Sequence, residues 1–182
     1  NKVNYSIFKK SFLKNIDKDE GEFILFENKI QKVLDLGILL RSGKFEEVIN
    51  LLGILNQSDP NQTYLKNSEF IFTKRFNEEK NLDYLYAVAI SQIIQRKISA
   101  AQHTIEKILE SDYENPNIYL VKTLVEIYLL NPKNADIALT KYNLLNKNEV
   151  SNKNEDFINI LNKIINIMNF NLTKIIGIFP IN

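Results

Sequence analysis

The sequence contains no cysteine and a single histidine. Without cysteine, the chain has no disulfides, no thiolate metal sites and no cysteine nucleophile. One histidine cannot supply a multi-histidine metal site within one chain. Tryptophan is absent and alanine is scarce, whereas asparagine, lysine and isoleucine are frequent. This bias is typical of an AT-rich genome and favours a bacterial source.

An excess of one charge is also missing. The 23 basic and 22 acidic residues leave a net charge of +1, and they are interspersed along the chain. Lysine supplies 20 of the 23 basic residues, so the bidentate arginine contacts that read phosphates and bases are scarce. We therefore expect no nucleic-acid partner, and we find no motif that predicts a cofactor.

Long hydrophobic runs are missing as well. The most apolar stretch, 157–170, is broken by asparagines and by Lys163, whereas a bilayer-spanning helix needs roughly 20 apolar residues. We expect no transmembrane segment in this chain. The start at Asn1 and the apolar ending suggest a trimmed signal or anchor upstream and a further domain downstream. The compartment stays open between the bacterial envelope or periplasm, which this start favours, and the cytoplasm.

Apolar residues recur at helical spacing along most of the chain, which predicts an all-α protein. We expect about nine helices, with Ser99 as the N-cap of one of them. The stretch 175–179 is the one candidate for a strand. The predicted helices cover 6–16, 22–41, 44–56, 63–76, 82–95, 99–109, 118–130, 135–145 and 155–170.

The most informative segment, 33–60, predicts a helical hairpin. A first apolar-faced helix contains the pair Leu36-Gly37 and ends at a turn with Gly43. A second helix follows, and Pro60 ends it because proline lacks the donor that a helix needs. The apolar positions of the second helix are Phe45, Val48, Leu52 and Leu55.

These hairpins resemble tetratricopeptide repeats, in which two helices recur about every 34 residues and small residues allow close crossing. Tyr119 follows Leu85 by 34 positions. The resemblance implies a right-handed stack of antiparallel hairpins at 30–60, 82–116 and 117–147. Capping helices would lie within 1–22 and 154–170, and a tail at 171–182.

Several positions depart from the repeat pattern. Gln92 stands where an aromatic residue belongs, and Lys122-Thr123 replaces the Leu-Gly pair of the third unit. The stretch 61–81 supplies one helix where a full repeat needs two. A non-repetitive helical bundle therefore remains the alternative.

In the repeat family, the first helices line a groove that holds peptide ligands. Here the corresponding positions are mostly apolar, so we do not expect the Lys and Asn clamp that binds a peptide's terminal carboxylate. They indicate an amphipathic helix or a neighbouring element as ligand, unless these residues are core. The candidate groove residues are Leu34, Ile38, Arg41, Tyr86, Ile90, Ile93, Leu120, Leu124 and Ile127.

The resulting prediction is a non-catalytic scaffold or assembly subunit that binds another protein or its own missing domain. A purely structural module is one alternative. The helix at 155–170 is apolar on more sides than one contact face needs, so it could also support a homo-oligomer.

Two patterns suggest other chemistry. Arg96 and His103 match the Arg-x(4–6)-His spacing of HEPN ribonucleases, so a HEPN-like ribonuclease is the enzymatic alternative. The acidic run 17–22 resembles the start of a calcium-binding EF-hand loop. However, Gly21 falls at the fifth loop position instead of the sixth, and Asn28 occupies the twelfth position, where an EF-hand has a bidentate glutamate. We therefore expect neither a metal site nor an enzyme.

Overall fold

A computed structural model of the protein describes residues 20–58, 63–146 and 154–178, with side-chain surroundings for 27–57, 64–146 and 154–171. Within these residues the chain forms eight α-helices and no β-strand, which confirms the all-α prediction. The predicted helix at 6–16 lies outside them. The helices are α1 (Glu20–Arg41), α2 (Phe45–Ser58), α3 (Thr63–Glu79), α4 (Leu82–Ile94), α5 (Ile98–Asp112), α6 (Pro116–Tyr128), α7 (Pro132–Leu145) and α8 (Glu155–Ile178).

Two local predictions were wrong. The stretch 175–178 is not a strand, because it belongs to α8, which continues past the predicted end at Phe170. Ser99 is not an N-cap, because α5 already begins at Ile98 and Lys97 precedes it without a side-chain cap. Both errors concern helix ends, where propensity is weak and the neighbouring packing decides the boundary.

Asparagines begin three of the helices. The side-chain oxygens of Asn81, Asn115 and Asn131 accept hydrogen bonds from backbone N–H groups in the first turns of α4, α6 and α7. Pro116 and Pro132 follow two of these caps, in the position where a missing N–H costs nothing. These prolines therefore start helices, whereas the sequence pattern assigned Pro116 to the end of the preceding unit.

The short turns share one backbone feature. Gly43, Lys80, Arg96 and Leu130 have φ values of 72°, 55°, 58° and 56°, and each lies in a turn between two consecutive helices. A left-handed residue after a helix reverses the chain and lets its N–H groups reach the last carbonyls. Lys80 and Leu130 do this through bonds to the carbonyl oxygens of Phe76 and Ile127.

From α3 onward each helix packs against the next one, and polar contacts between named positions show antiparallel directions. Glu69 in the first half of α3 accepts a hydrogen bond from Gln92 near the end of α4, and the Thr104 hydroxyl of α5 donates to Gln92 over 2.8 Å. Gln102 of α5 donates to Glu126 of α6 over 3.2 Å.

Helix α1 departs from this local order, because it packs more extensively against α4 than against its hairpin neighbour α2. Gly37 lies at this crossing. A Cβ atom at position 37 would lie 2.5 Å from the backbone N of Ala87 and 2.8 Å from the carbonyl oxygen of Asp83. The glycine therefore permits a close contact between α1 and α4, two helices separated in sequence by α2 and α3.

Helix α4 lies at the centre of the protein, since α1, α3 and α5 all pack against it. All nine residues from Tyr84 to Gln92 are buried. The aromatic rings of Tyr84 and Phe72, which belongs to α3, stack with centroids 5.8 Å apart.

Candidate functional site

The candidate groove residues predicted from the sequence differ widely in exposure. Four of them, Leu34, Tyr86, Ile90 and Leu120, are buried, and Ile38 alone is exposed, with 40% of its surface accessible. The half-buried members are Arg41, Ile93, Leu124 and Ile127. The contact of α1 with α4 places two of the predicted groove-lining helices directly against each other. A binding role for these residues stays a prediction, and the buried ones offer a partner no surface in this structure.

Arg41, at the end of α1, is part of a polar junction between four helix ends. Its NH1 lies 3.0 Å from Asp83 Oδ1 in the first turn of α4, and its Nε lies 3.2 Å from Asp112 Oδ2 at the end of α5. Its carbonyl oxygen accepts hydrogen bonds from the side-chain amides of Asn115 and Asn117 at the start of α6. The junction thus fixes α1 to three helices that are distant in sequence.

Tyr86 and Asn115 complete this junction by donating to the same carboxylate oxygen as Arg41. The Tyr86 hydroxyl is 3.0 Å and the Asn115 amide 3.2 Å from Asp112 Oδ2. Three donors therefore satisfy an acidic group at a helix C-terminus, where the helix dipole disfavours negative charge.

The surroundings keep both proton-bearing members of the junction protonated. Burial alone would lower the pKa of Arg41, but its hydrogen bond to Asp83 and the charge of Asp112 outweigh this and raise it. Burial and the neighbouring Asp112 carboxylate raise the pKa of the Tyr86 hydroxyl far above its ordinary value. Groups that hold their protons so firmly suit a structural junction better than proton exchange with a substrate.

A second polar network joins α3 to the turn after α4. The Glu69 carboxylate accepts hydrogen bonds from Gln92, Gln95 and Lys97, with the Lys97 Nζ at 2.6 Å. Burial alone would raise the pKa of Glu69, but the hydrogen bonds from Lys97 and Gln92 and the charge of Lys97 outweigh it and lower this pKa. The carboxylate therefore binds these donors in its ionised form.

The predicted ribonuclease pair is placed on two different elements. Arg96 lies in the turn between α4 and α5 with a positive φ, and His103 lies on α5; both are exposed. No hydrogen bond joins their side chains within the described part of the chain. A role in RNA cleavage stays a prediction without a geometric argument for it. Among the described residues, no three acidic or histidine side chains form a group that could hold a metal ion.

Helix α8 has two apolar sides, of which one is buried and the other is partly exposed. One side, containing Ile158, Leu161 and Ile165, is buried against α6 and α7. The other side exposes Ile160 to 53% and Ile167 to 60%. No helix among the described residues is long and apolar enough to cross a membrane. The exposure of Ile160 and Ile167 on one side of α8 makes this side a candidate contact surface.

Phe157 marks where this exposed side begins. Its ring stacks on that of Phe45 at the start of α2, with centroids 5.7 Å apart. Ile160, Ile164 and Ile167 continue from Phe157 at spacings of three, four and three, so they lie on the same side of α8. We call Phe157, Ile160, Ile164 and Ile167 the α8 stripe.

Helix α2 contributes apolar residues beside the start of this stripe. Ile49 and Leu52 follow Phe45 at i+4 and i+7, so they share the side of α2 that meets Phe157. Ile49 is 65% exposed, whereas Leu52 is half-buried against the core. Apart from the aromatic stack, α2 and α8 have few contacts. Near the stack, Ile49 on α2 and Ile160 on α8 are both more than half exposed.

The sequence located part of this site. The apolar excess of the last helix was visible, but which isoleucines stay exposed depends on how α6 and α7 pack against it. The junction partners Asp83, Asp112, Asn115 and Asn117 were missed. The Asn115-Pro116 pair could have predicted Asn115 as an N-cap, because proline is common at the first position of a helix. Its hydrogen bond to Arg41 could not be predicted, because it depends on α1 crossing α4.

Comparison of the chain with protein-family models, with curated proteins and with solved structures gives no match, so the functional argument comes from the described helices themselves.

Proposed function

We propose that the protein is a non-catalytic scaffold that binds an apolar or amphipathic segment of a protein partner, and that its helices form a stacked array resembling tetratricopeptide repeats. The antiparallel succession from α3 to α8 supports such an array. The position of α1 against α4 fits a variant of it in which α1 covers part of the face that peptide ligands would use.

The observation that carries the binding proposal is the α8 stripe. Exposed isoleucines scattered singly are ordinary on a protein surface. Here the exposed Ile160 and Ile167 are joined by the half-buried Ile164 on one side of the helix, which makes the apolar surface contiguous. Such patches, when bordered by polar residues, are typical of protein contact sites. Asn159, Asn166 and Lys163 border the stripe.

A crosslinked capture experiment in an extract of the native organism tests this proposal. We expect the double variant Ile160→Lys, Ile167→Lys to lose captured protein by about tenfold or more, because burying a charge in an apolar contact costs more than about 1.4 kcal/mol. Circular dichroism should show an unchanged fold, since both side chains are more than half exposed.

Ile137→Lys is the matched control, because Ile137 is an equally exposed isoleucine on α7, with 59% of its surface accessible. This variant should capture protein as the wild type does. Equal capture by all three proteins would remove the α8 stripe as the binding surface.

A further inference from the structure

Helices α4 and α6 have equivalent positions at both of their ends. Each has 13 residues and begins after an asparagine cap, and Asn115 follows Asn81 by 34 positions. Each is followed by a turn with a left-handed residue, and Leu130 follows Arg96 by the same 34 positions. Residues 34 positions apart at the starts of α4 and α6 therefore have equivalent places in the two helices.

Helix α1 lies across both of these helix starts. It runs antiparallel to α4, because Gly37 lies beside Ala87 whereas Arg41, one turn later, lies beside Asp83. Helix α1 also contacts α6, where the Asn117 side chain donates to the carbonyl oxygen of Arg41 over 3.0 Å. Helix α1 thus covers a surface that α4 and the start of α6 form together.

Equivalent positions of α4 and α6 bind the same residue of α1. Asn117 follows Asp83 by 34 positions, and Asp83 accepts from the Arg41 guanidinium whereas Asn117 donates to the Arg41 carbonyl oxygen. Asn117 also lies against the turn after α1, since a Cβ atom on Gly43 would be 2.5 Å from its Oδ1. The residues that hold the end of α1, which we call the helix-end clamp, are Asp83, Asp112, Asn115 and Asn117.

The hairpin of α1 and α2 is attached to the other helices mainly through α1. Among the described residues, α2 packs extensively against α1 alone, and it reaches α8 through the stack of Phe45 on Phe157. Each helix from α3 to α7, in contrast, packs against the next one without involving α1. Supersecondary units attached on one side open cooperatively at a lower free energy than the surrounded core. The hairpin has the contacts of such a unit.

The surface beneath α1 combines a close crossing with an acidic end. At the crossing, the backbone of α4 at Ala87 leaves room for a helix that carries a small residue, as Gly37 does. At the end, Arg41 is the cation between the carboxylates of Asp83 and Asp112. Without it, two like charges would face each other, which is unfavourable. The surface therefore fits an amphipathic helix with a small residue at the crossing and an arginine one turn later.

From these contacts we propose that α1 is a built-in occupant of a helix-binding surface on α4 and α6, which the hairpin of α1 and α2 uncovers when it opens as a unit. The partner is an amphipathic helix of another protein, with a small residue followed four positions later by an arginine at its C-terminal end. This helix binds by competing with α1, so α1 limits access to the surface. The inference rests on the proposed function in naming a helical partner segment, but none of its residues belongs to the α8 stripe.

Native-state hydrogen exchange tests whether the hairpin opens as a unit. We expect the helical amides of α1 and α2 to exchange at least about tenfold faster than those of α4 and α6. Arg41→Leu should speed exchange in both α1 and α2 and leave α7 unchanged, because Arg41 anchors the hairpin. Exchange of α1 only together with α4 would overturn the proposal, since α1 would then leave its surface only on global unfolding.

A labelled peptide with the sequence of residues 20–44 is the probe for the uncovered surface. In the full chain, Gly37→Leu should prevent docking of its own α1, because the Cβ atom alone would lie 2.5 Å from the backbone N of Ala87. We expect the peptide to bind this variant at least about tenfold more tightly than the wild type, in which α1 competes. Fluorescence anisotropy measures both affinities, and circular dichroism reports whether the variant keeps its other helices.

Two altered peptides identify the contact. A peptide with Arg41→Leu should bind the Gly37→Leu chain at least about tenfold more weakly, because the helix-end clamp loses its cation. A peptide with Lys44→Met is the matched control, since it loses the same charge from a residue whose ion pair is with Glu47 of α2, and it should bind as the parent peptide does. Equal binding of the three peptides, equal binding to the two chains, or no binding would each contradict the proposal. Unfolding of the Gly37→Leu chain would do so too, because the other helices would then depend on α1.

Two further measurements separate this surface from other interpretations. We expect light scattering to give the same mass for the wild type and the Gly37→Leu chain. A wild type of twice the 21.2 kDa chain mass that Gly37→Leu converts to a single chain would identify α1 of a second copy as the occupant, and would overturn the partner helix. Adding Ile160→Lys and Ile167→Lys to the Gly37→Leu chain should leave peptide binding unchanged. Lost capture with intact peptide binding would therefore remove the α8 stripe, and the opposite result would remove only the helix-binding surface.

Discussion

Helices α4 and α8 are both rich in apolar residues, yet they have opposite surroundings. Three helices surround α4 and bury every residue from Tyr84 to Gln92. Helix α8 has support on one side, and its isoleucines at 160 and 167 remain exposed. A helix that is apolar all round is expected to be buried all round. Among the described residues, Ile160 and Ile167 on the second apolar side of α8 stay exposed, and this difference is the reason that we propose this side as a contact surface.

Polar contacts separate the two helices as well. The ends of α4 take part in two networks, one through Asp83 and Tyr86 with Arg41, and one through Gln92 with Glu69. Within the part of the chain that the structure describes, α8 contacts the other helices mainly through Ile158, Leu161, Ile165 and the Phe157 ring. Directional bonds thus specify one arrangement around α4, whereas the apolar contacts of α8 specify direction less strictly.

The largest expected effect compares the two sides of α8. Leu161→Ala should lower the free energy of unfolding by about 2–5 kcal/mol, because Leu161 is fully buried and its removal leaves a cavity. Ile160→Ala should change it by less than about 1 kcal/mol. Urea denaturation, at protein concentrations where the chain is monomeric, gives both values. Equal losses would mean that the two sides are not distinguished in solution.

A smaller loss is expected at the crossing of α1 and α4. Gly37→Ala should cost about 1–3 kcal/mol, because the new Cβ meets backbone atoms of α4 that cannot move aside. Gly53→Ala is the control, since no atom lies within 4 Å of a Cβ at this helical position. It should stabilise the protein by about 0.5–1 kcal/mol. A stabilised Gly37→Ala protein would show that α1 and α4 are not in close contact.

Next in size is the polar junction. Arg41→Leu should lower the free energy of unfolding by about 1–2 kcal/mol, since it leaves the carboxylates of Asp83 and Asp112 without their cation. Lys44→Met removes an ion pair whose two side chains are more than half exposed, and should cost less than about 0.5 kcal/mol. Thermal unfolding of the two variants provides the comparison, and similar melting temperatures would contradict a structural role for the junction.

The smallest expected effect depends on pH. The pKa of Glu69 is lowered in the folded protein, so its ionised form contributes stability above its ordinary pKa of about 4.5. This contribution is lost as the pH falls through the lowered folded value. Glu69→Gln should therefore be less stable than the wild type at pH 7 by about 0.5–1 kcal/mol, and the difference should shrink towards pH 3. A difference that stays constant across this range would argue against the linkage.

Much of the secondary structure was predictable from the sequence, because helical spacing of residues such as Val48, Leu52 and Leu55 is a local signal. The partner of α1 was not predictable in this way. Gly37 indicates that some helix crosses closely, but the hairpin pattern favoured the adjacent α2, and only the assembled structure selects α4.

The candidate site was predictable to a similar extent. The apolar excess of 155–170 was evident, whereas the burial of Tyr86 and Leu120, both assigned to the groove, follows from packing between distant helices. Tyr86 is fully buried and bonded to Asp112. Its truncation would therefore test the core, and Ile160 is the better position for testing a surface.

The contact between α1 and α4 also affects the order in which the protein can be built. Ala87 follows Gly37 by 50 positions, which corresponds to roughly 3–10 s of synthesis at ordinary ribosomal rates. Val33, Leu36 and Leu40 therefore emerge from the ribosome this long before the part of α4 that packs against α1. The nascent chain thus exposes the apolar side of α1 for seconds before its main packing partner is available, and the contact between α1 and α4 is non-local in sequence.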